Sequence, residues 1–494
     1  MNRRYRNLAF YLVVILLFGL GIIAMLRLGS SLYGTDGLAP PPAATPTPPP
    51  QVPPPPSPER GGPSGPLGIL VENLNHPLGI LLIQLTVIIL AARGMGRLFR
   101  SIGQPSVIGE VVAGIMLGPS LLGSLSPHAQ AFIFPASSLG SLGLLSQIGA
   151  ILFMFIVGVE LDFGYLKKKA DAAVLVSHAS ILVPFFLGTA LSLYIFPLLA
   201  PAGVPFTPFA LFMGVAMSIT AFPVLARIVA ERRLADTPIG STVIACAAVD
   251  DVTAWCLLAV VVALIKATGL TGAATTIALA LVFTAVMLFL IRPQTARLFA
   301  GPGRQRVGRV SGILAFAFAA ALFTEMIGIH PLFGAFLAGV AMPPLESVKR
   351  FVRTRLEVLT SVMLLPLFFA FTGLRTQIGL LNDWQSLFLS GGIIVIAIVG
   401  KLGGSAVAAR WTGMSWYDSL SIGALMNTRG LVELIALNIG YDLGILSPRI
   451  FTMMVLMALI TTFMAGPVLT LLRRLAQRSE AQGLRHAPSE AGPP

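Results

Sequence analysis

The stretch VIACAAVDDVTAW (243–255) sets Asp250 beside Asp251 inside a segment, 239–265, that is otherwise almost wholly apolar. Ionisable groups are rare at membrane depth and mark ion or proton pathways when they occur there. The fold follows from whether the apolar surroundings are a soluble core or a lipid-spanning helix. Composition decides for the membrane. The 494 residues are 55% hydrophobic and only 11% charged, against about 25% charged in soluble domains, and mean hydropathy is +0.87. A soluble globular enzyme is excluded, and an all-α polytopic membrane protein is expected.

Working outward from the pair, thirteen hydrophobic segments emerge: 78–92, 104–122, 143–161, 172–198, 206–230, 239–265, 272–291, 310–328, 331–344, 356–374, 386–409, 417–440 and 449–472. Loop charges support this register. Arg93, Arg97 and Arg100 follow the first segment, Lys167 to Lys169 the third, and Arg232 and Arg233 the fifth. Arg292, Arg297, Arg304, Arg306 and Arg309 follow the seventh, and Lys349, Arg350, Arg353 and Arg355 the ninth. Arg410 follows the eleventh and Arg473, Arg474 and Arg478 the last. The alternate loops hold almost none. Cytoplasmic loops concentrate Lys and Arg, so every second loop is expected in the cytoplasm, with the C-terminus. The net charge of +13 therefore belongs to loops facing the cytoplasm, and no nucleic-acid partner is implied.

Residues 1–30 begin MNRRYR and continue LAFYLVVILLFGLGIIAML (8–26), the pattern of a signal anchor or signal peptide. The apolar run exceeds the usual signal-peptide core of about 7–15 residues and no A-x-A site follows, which favours an uncleaved anchor. Residues 31–66 are expected to form an extracytoplasmic linker, with 14 prolines in the 27 residues 40–66, a composition suited to extended polyproline II. Residues 67–474 form the expected transmembrane domain and 475–494 a short cytoplasmic tail, with no soluble regulatory domain in the chain. Cys246 and Cys256 share one segment and are read as core residues.

Three further features carry chemistry. Lys401, in IVIAIVGKLGGSAVAA (394–409), lies mid-segment and is the basic partner expected for the aspartates. In SITAFPVLARI (218–228), Thr220 and Pro223 fall within the fifth segment, where a proline breaks helix bonding. In ALMNTRGLVELIALNIG (424–440), Asn427, Thr428, Arg429 and Gly430 interrupt the twelfth segment, and Arg429 and Glu433 are spaced to pair on one face. One interrupted segment precedes the Asp-bearing helix and the other follows the Lys-bearing helix. Such a mirrored pair points to an inverted-repeat transporter site, with free carbonyls at the broken ends to serve a cation. Glu110, Glu160 and Glu325 lie near segment ends, where interfacial roles suffice, and His178 reads as a packing residue. No metal cluster, phosphate loop or nucleophile constellation is present in the sequence, so neither an enzyme nor a cofactor is implied.

The motifs ILFMFIVGVELD (151–162), SITAFPVLARI (218–228), VIACAAVDDVTAW (243–255), IVGKLGG (398–404) and ALMNTRGLVELIALNIGYDLGILSPRIFTMMVLMALITT (424–462) resemble the monovalent cation:proton antiporter-2 family. The closest look is to the plant-type cation/H+ exchangers and their bacterial relatives. The resemblance spans about residues 75–475. It implies thirteen helices in a dimerisation domain and a core domain, with two crossed discontinuous helices in the core. It implies a homodimer in the inner membrane that exchanges Na+ or K+ for H+. It assigns the cation- and proton-binding role to Asp251, a variable Asp position to Asp250, and the paired basic residue to Lys401.

A charge count then yields a mechanism. Asp250, Asp251 and Lys401, all ionised, sum to −1. Either one monovalent cation or one proton on Asp251 brings the sum to zero, and moving net charge through low dielectric is costly. Loaded forms cross and the empty form does not, which is exchange. A cation channel or a sodium-coupled solute symporter remains the alternative, although the buried Lys401 argues against a cation pore.

Overall fold

The computed structural model describes residues 3–34, 76–160, 170–234, 237–266, 270–299, 306–343 and 345–485, and among them the regular structure is entirely helical. The expected Pro-rich linker lies outside the described residues from 35 onward.

The first helix, α1, runs Arg3–Tyr33. It is followed by α2 Pro77–Ser101, α3 Ser106–Leu117, α4 Leu139–Glu160 and α5 Ala170–Leu199. The fifth expected segment is two helices, α6 Phe206–Ser218 and α7 Phe222–Glu231. Then come α8 Pro238–Lys266 and α9 Leu270–Ala285, which continues through a π-helical stretch. Next are α10 Arg306–Met326, α11 Pro331–Val340, α12 Glu346–Val352 and α13 Leu365–Arg375. The last four are α14 Trp384–Ile398, α15 Trp416–Met426, α16 Leu431–Asp442 and α17 Pro448–Arg485. Helix starts use residues that cost nothing there. Pro77, Pro238, Pro331 and Pro448 stand in first turns, where a missing N–H loses no bond. Asp383 and Ser415 accept from Ser386 N and Asp418 N as N-caps.

Every expected segment carries helix. Among the described residues, nine helices are long and apolar enough to cross a membrane, and up to ten if the pair 346–357 and 360–375, bent by 43°, is one span. Phe206–Ser218, Val310–Met326 and Pro331–Val340 are shorter apolar helices. The last helix continues past residue 474, to Arg485.

The helices sort into two bundles. In one, α2, α3, α4, α10, α11, α12 and α13 pack chiefly on each other. Reciprocal glycines let backbones touch here. A Cβ on Gly158 would lie 2.2 Å from the Phe336 carbonyl, and one on Gly339 2.2 Å from the Phe155 carbonyl, the small-residue packing used where lipid supplies no hydrophobic drive. In the other bundle, α5, α6, α7 and α8 pack with α14, α15, α16 and α17, and α1 lies against α5 and α6. This second bundle repeats one order twice: long helix, interrupted helix, long helix. The bundles meet along α13–α16 and α3–α17. A small pocket of about 30 Å³ opens between them, lined in part by Gln147, His330, Asn438 and Asp442.

Two local readings change. Cys246 is buried, but Cys256 is exposed. Ten residues are close to three helical turns but miss by about 80°, enough to turn one thiol outward on a helix apolar all round. The fifth segment is broken, but Pro223 does not lie deep inside a helix: α6 has ended at Ser218, and Pro223 falls in the first turn of α7.

Candidate functional site

The two interruptions meet. Ala221 N donates to Thr428 O at 3.1 Å, and Thr220 Oγ1 approaches Met426 O at 3.4 Å. Gly430, with an extended φ of 164°, allows the contact, since a Cβ there would lie 2.8 Å from Val224 Cγ2. Thr428 turns its hydroxyl onto Leu425 O at 2.7 Å, and Asn427 Nδ2 reaches Met464 Sδ at 3.8 Å.

α8 brings Asp250 and Asp251 to this crossing, both fully buried, and their environments differ sharply. Asp250 is saturated. Ser177 Oγ donates to its Oδ1 at 2.5 Å; Ser180 Oγ at 3.0 Å, Thr220 Oγ1 at 2.7 Å and Lys401 Nζ at 3.2 Å donate to its Oδ2. Asp251 is bare: neither carboxylate oxygen has a hydrogen-bond partner. The backbone N–H of Phe222, at the first turn of α7, is directed at it but outside hydrogen-bond geometry. A buried polar group ordinarily finds a partner, so two orphaned carboxylate oxygens mark where a ligand would bind.

Lys401 lies on a π-helical turn, Val399–Gly403, a distortion that is frequent at functional sites. Besides Asp250 it donates to Ser180 O at 3.0 Å and, in a very short contact, to Ser218 O. Both carbonyls are free for a local reason. Pro184 sits within α5, four residues past Ser180, so the Ser180 carbonyl has no helical N–H to accept from. Ser218 ends α6, so its carbonyl has no following turn.

Arg429 completes the cap. Its guanidinium donates to Ala216 O at 3.0 Å and Met217 O at 2.7 Å, and to Glu433 Oε1 at 3.2 Å. Its backbone N donates to Thr462 Oγ1 at 2.9 Å, and that hydroxyl returns a bond to Arg429 O at 2.6 Å. Three carbonyls of the last turn of α6 are therefore already taken by cations of the chain itself. Ala216, Met217 and Ser218 are held by Arg429 and Lys401, fixed cations of the chain, because an uncapped helix end inside the bundle would be too costly.

The structure thus gathers Thr220, Asp250, Asp251, Asn427, Thr428, Arg429, Glu433 and Lys401 around one crossing, with Pro223 on the adjoining turn. Ser177, Ser180, Pro184 and Ser218 belong to it as well. Their signal was SHASILVP (177–184), two hydroxyls three residues apart with a proline four past the second. The other acidic residues stay peripheral. Glu160 pairs with Arg353 at 2.9 Å and Glu325 lies 3.9 Å from Lys266. His178 bonds Val174 O through Nδ1 at 2.8 Å.

With this geometry in place, similarity to known proteins is informative. Residues 85–474 match the family model described as sodium/hydrogen exchanger, transmembrane. The chain belongs to the sodium/hydrogen exchanger family. It is 44% identical over 397 residues to the Na(+)/H(+) antiporter NhaS4 of Synechocystis, covering 80% of this chain and 97% of that one. It is 40% identical to Cation/H(+) antiporter 17 of Arabidopsis thaliana and 34% to K(+)/H(+) antiporter 1 of Saccharomyces cerevisiae. Against those two it spans about half their length, 48% and 49%. Among solved structures, the sodium proton antiporter MjNhaP1 from Methanocaldococcus jannaschii at pH 8 shares the fold, with a TM-score of 0.52 at 14% identity, covering 79% of this chain and 96% of that one.

Proposed function

We propose that this exchanger-family protein is a secondary-active antiporter that moves Na+ or K+ against H+ by alternating access, with Asp251 binding cation and proton in turn. The observation that carries the reading is the contrast within the pair: Asp250 takes four donors while Asp251 takes none. A carboxylate locked by three hydroxyls and an ammonium is structural; its bare neighbour is the exchangeable one. The relatives are named as Na+/H+, K+/H+ and cation/H+ antiporters, which favours exchange over a channel or a solute symporter.

Among the described residues, the buried charged side chains number five. Asp250, Asp251 and Glu433 are opposed by Lys401 and Arg429, all with side chains inside the bundle. Fully ionised, they sum to −1, the same total as the three-residue count, since Arg429 and Glu433 cancel. A cation or a proton at Asp251 neutralises the set, so either loaded form avoids the cost of carrying net charge through low dielectric. The α5–α8 and α14–α17 repeat forms the moving core and the other bundle the dimerisation domain of a homodimer. The pocket between the bundles is the extracytoplasmic approach by the loop charges, and neither aspartate lines it. The finer architecture in this reading is thirteen spans in an inverted repeat and an N-terminal anchor with its Pro-rich linker outside. The C-terminus is cytoplasmic, in a bacterial inner membrane.

The test is proton flux in proteoliposomes with Na+, K+ and Li+ compared across pH. Asp251→Asn should abolish cation-dependent flux while the protein still purifies as a folded species. Wild-type exchange by that variant would remove the assignment.

A further inference from the structure

α1 is more than an apolar rod. Its residues divide by face. Leu12, Val13, Leu16, Leu17, Leu20, Ile23 and Leu28 are exposed, as for a helix face meeting lipid. Tyr11, Val14, Phe18, Gly21 and Gly29 lie on the side turned to α5 and α6, at the three- and four-residue spacings that keep one helical face. The contacts run in parallel register along the pair. Tyr11 meets His178 edge-on at 5.4 Å, and Phe18 meets Phe186 at 5.5 Å. At the far end Ser30 Oγ lies 3.0 Å from Thr207 Oγ1, and Tyr33 donates through its hydroxyl to Leu193 O at 2.7 Å. Tyr33 also packs on Phe196 and stacks on Phe206. The glycines are fitted to these rings: a Cβ on Gly29 would lie 1.9 Å from Phe206 Cε1, and one on Gly21 2.8 Å from Phe186 Cε2. A removable leader needs a basic start, an apolar core and a small-residue cleavage site; nothing in that task calls for aromatic, glycine and hydroxyl groups on one face and aliphatic groups on the other.

The place where α1 docks gives the contact a role. His178 stands between Ser177 and Ser180, the two α5 hydroxyls that hold Asp250. Neighbouring helical positions point about 100° apart, so this one turn of α5 faces the buried aspartate on one side and α1 on the other. α5 is also the helix opened by Pro184, and a helix missing an internal bond gains from an outer support. We propose that α1 is a resident helix of the transporter that braces the Ser177–Ser180 turn of α5 from outside and so positions Asp250 beside Asp251. Tyr11 is then a positioning residue for the site, acting through His178. This rests on the reading of Asp250 and Asp251 as the ion site.

The test has two arms on the full chain carrying a C-terminal tag. Intact mass of the protein purified from membranes should include the α1 residues; a mass lacking them overturns residence. In proteoliposomes, Tyr11→Ala and Gly21→Leu should raise the KM for Na+ or K+ by about two- to tenfold, the weight of an aromatic contact, with kcat near wild type. Ala24→Leu, on the exposed face, should leave both constants unchanged. Should Gly21→Leu fail to fold, Tyr11→Ala carries the arm, since it deletes a contact and adds no bulk. An unchanged KM in Tyr11→Ala overturns the brace. Asp251→Asn run beside them separates the two ideas: if it exchanges normally the ion-site reading falls, whereas a dead Asp251→Asn with a wild-type Tyr11→Ala removes the brace alone.

Discussion

Replacing Arg429 by Met tests whether the fixed cations at the crossing cap the broken helix and also balance the charge count. The substitution removes three charge-assisted bonds, to Ala216 O, Met217 O and Glu433 Oε1. Breaking a buried ion pair by deleting one partner costs about 3–5 kcal/mol, because the survivor is left uncompensated. Each uncovered buried carbonyl adds about 1–3 kcal/mol. Glu433→Gln is milder, since Arg429 keeps both carbonyls and loses only the ionic partner. The double variant Arg429→Met/Glu433→Gln loses the caps but no longer strands a carboxylate. It should therefore be more stable than Arg429→Met alone, with an interaction energy within the usual range for contacting residues, about 0.5–3 kcal/mol. The charge totals give an independent ordering for transport. Arg429→Met takes the empty set from −1 to −2, so one cation no longer neutralises it; the double variant restores −1. Thermal unfolding in detergent and proton flux in proteoliposomes read the two orderings on the same four proteins. A double variant no more stable than Arg429→Met, and no more active, would refute both the pairing and the charge count.

Three further outcomes follow from the same geometry. Pro184→Ala returns an N–H to α5 and relieves an interior proline worth about 3 kcal/mol, but that N–H competes with Lys401 for Ser180 O; unfolding temperature should rise while the exchange rate falls. Lys401→Met leaves an empty set of −2 that neither a single cation nor a single proton cancels, so cation-dependent flux should drop by more than about tenfold, read in the same vesicles. Asp383, the N-cap of α14, is held below the usual carboxylate range by the Ser386 hydroxyl, then its N–H, with Arg449 beside it. A depressed folded value means its contribution is present above the ordinary carboxylate range and is lost as pH falls through the folded value. Asp383→Ala should thus lower the unfolding temperature at neutral pH, with the gap to wild type closing on acidification.

Much of this site was legible in the chain because membrane depth makes polarity conspicuous. Asp250, Asp251, Lys401 and Arg429 stand out against apolar neighbours, and the Arg429–Glu433 spacing fixes a pair that the structure shows at 3.2 Å. Serines did not stand out. A hydroxyl in a helix can return its bond to the preceding turn, so Ser177 and Ser180 carry no obligation visible in sequence until α8 brings a carboxylate opposite them. The breaks were located but their geometry was not. Pro223 marked the break, but α6 ends five residues before it, and the partner that accepts Ala221 N is Thr428, 207 positions away. Cys256 was misread for a related reason: on a helix apolar all round, spacing does not say which face meets lipid.

The capping of α6 also bears on how a cation would be held. In a site built on broken helices the unwound carbonyls are the obvious cation ligands, and a rigid ring of them would sort ions by size. Here three carbonyls of the last turn of α6 already belong to Arg429 and Lys401. If Asp251 is the cation's seat, as proposed, these residues place positive charge beside it, so the seat depends on Asp250 and Glu433 to cancel them and on Asp251 for attraction. Attraction by one carboxylate, without a ring of free carbonyls around it, would be set by charge more than by cavity radius. The same carboxylate, with no hydrogen bond closed to it, is the group a proton reaches with no bond to break. In the proposed reading, competition between cation and proton for Asp251 follows from where the fixed cations went: with the Ala216, Met217 and Ser218 carbonyls occupied by Arg429 and Lys401, the two ions share the one carboxylate without a hydrogen bond.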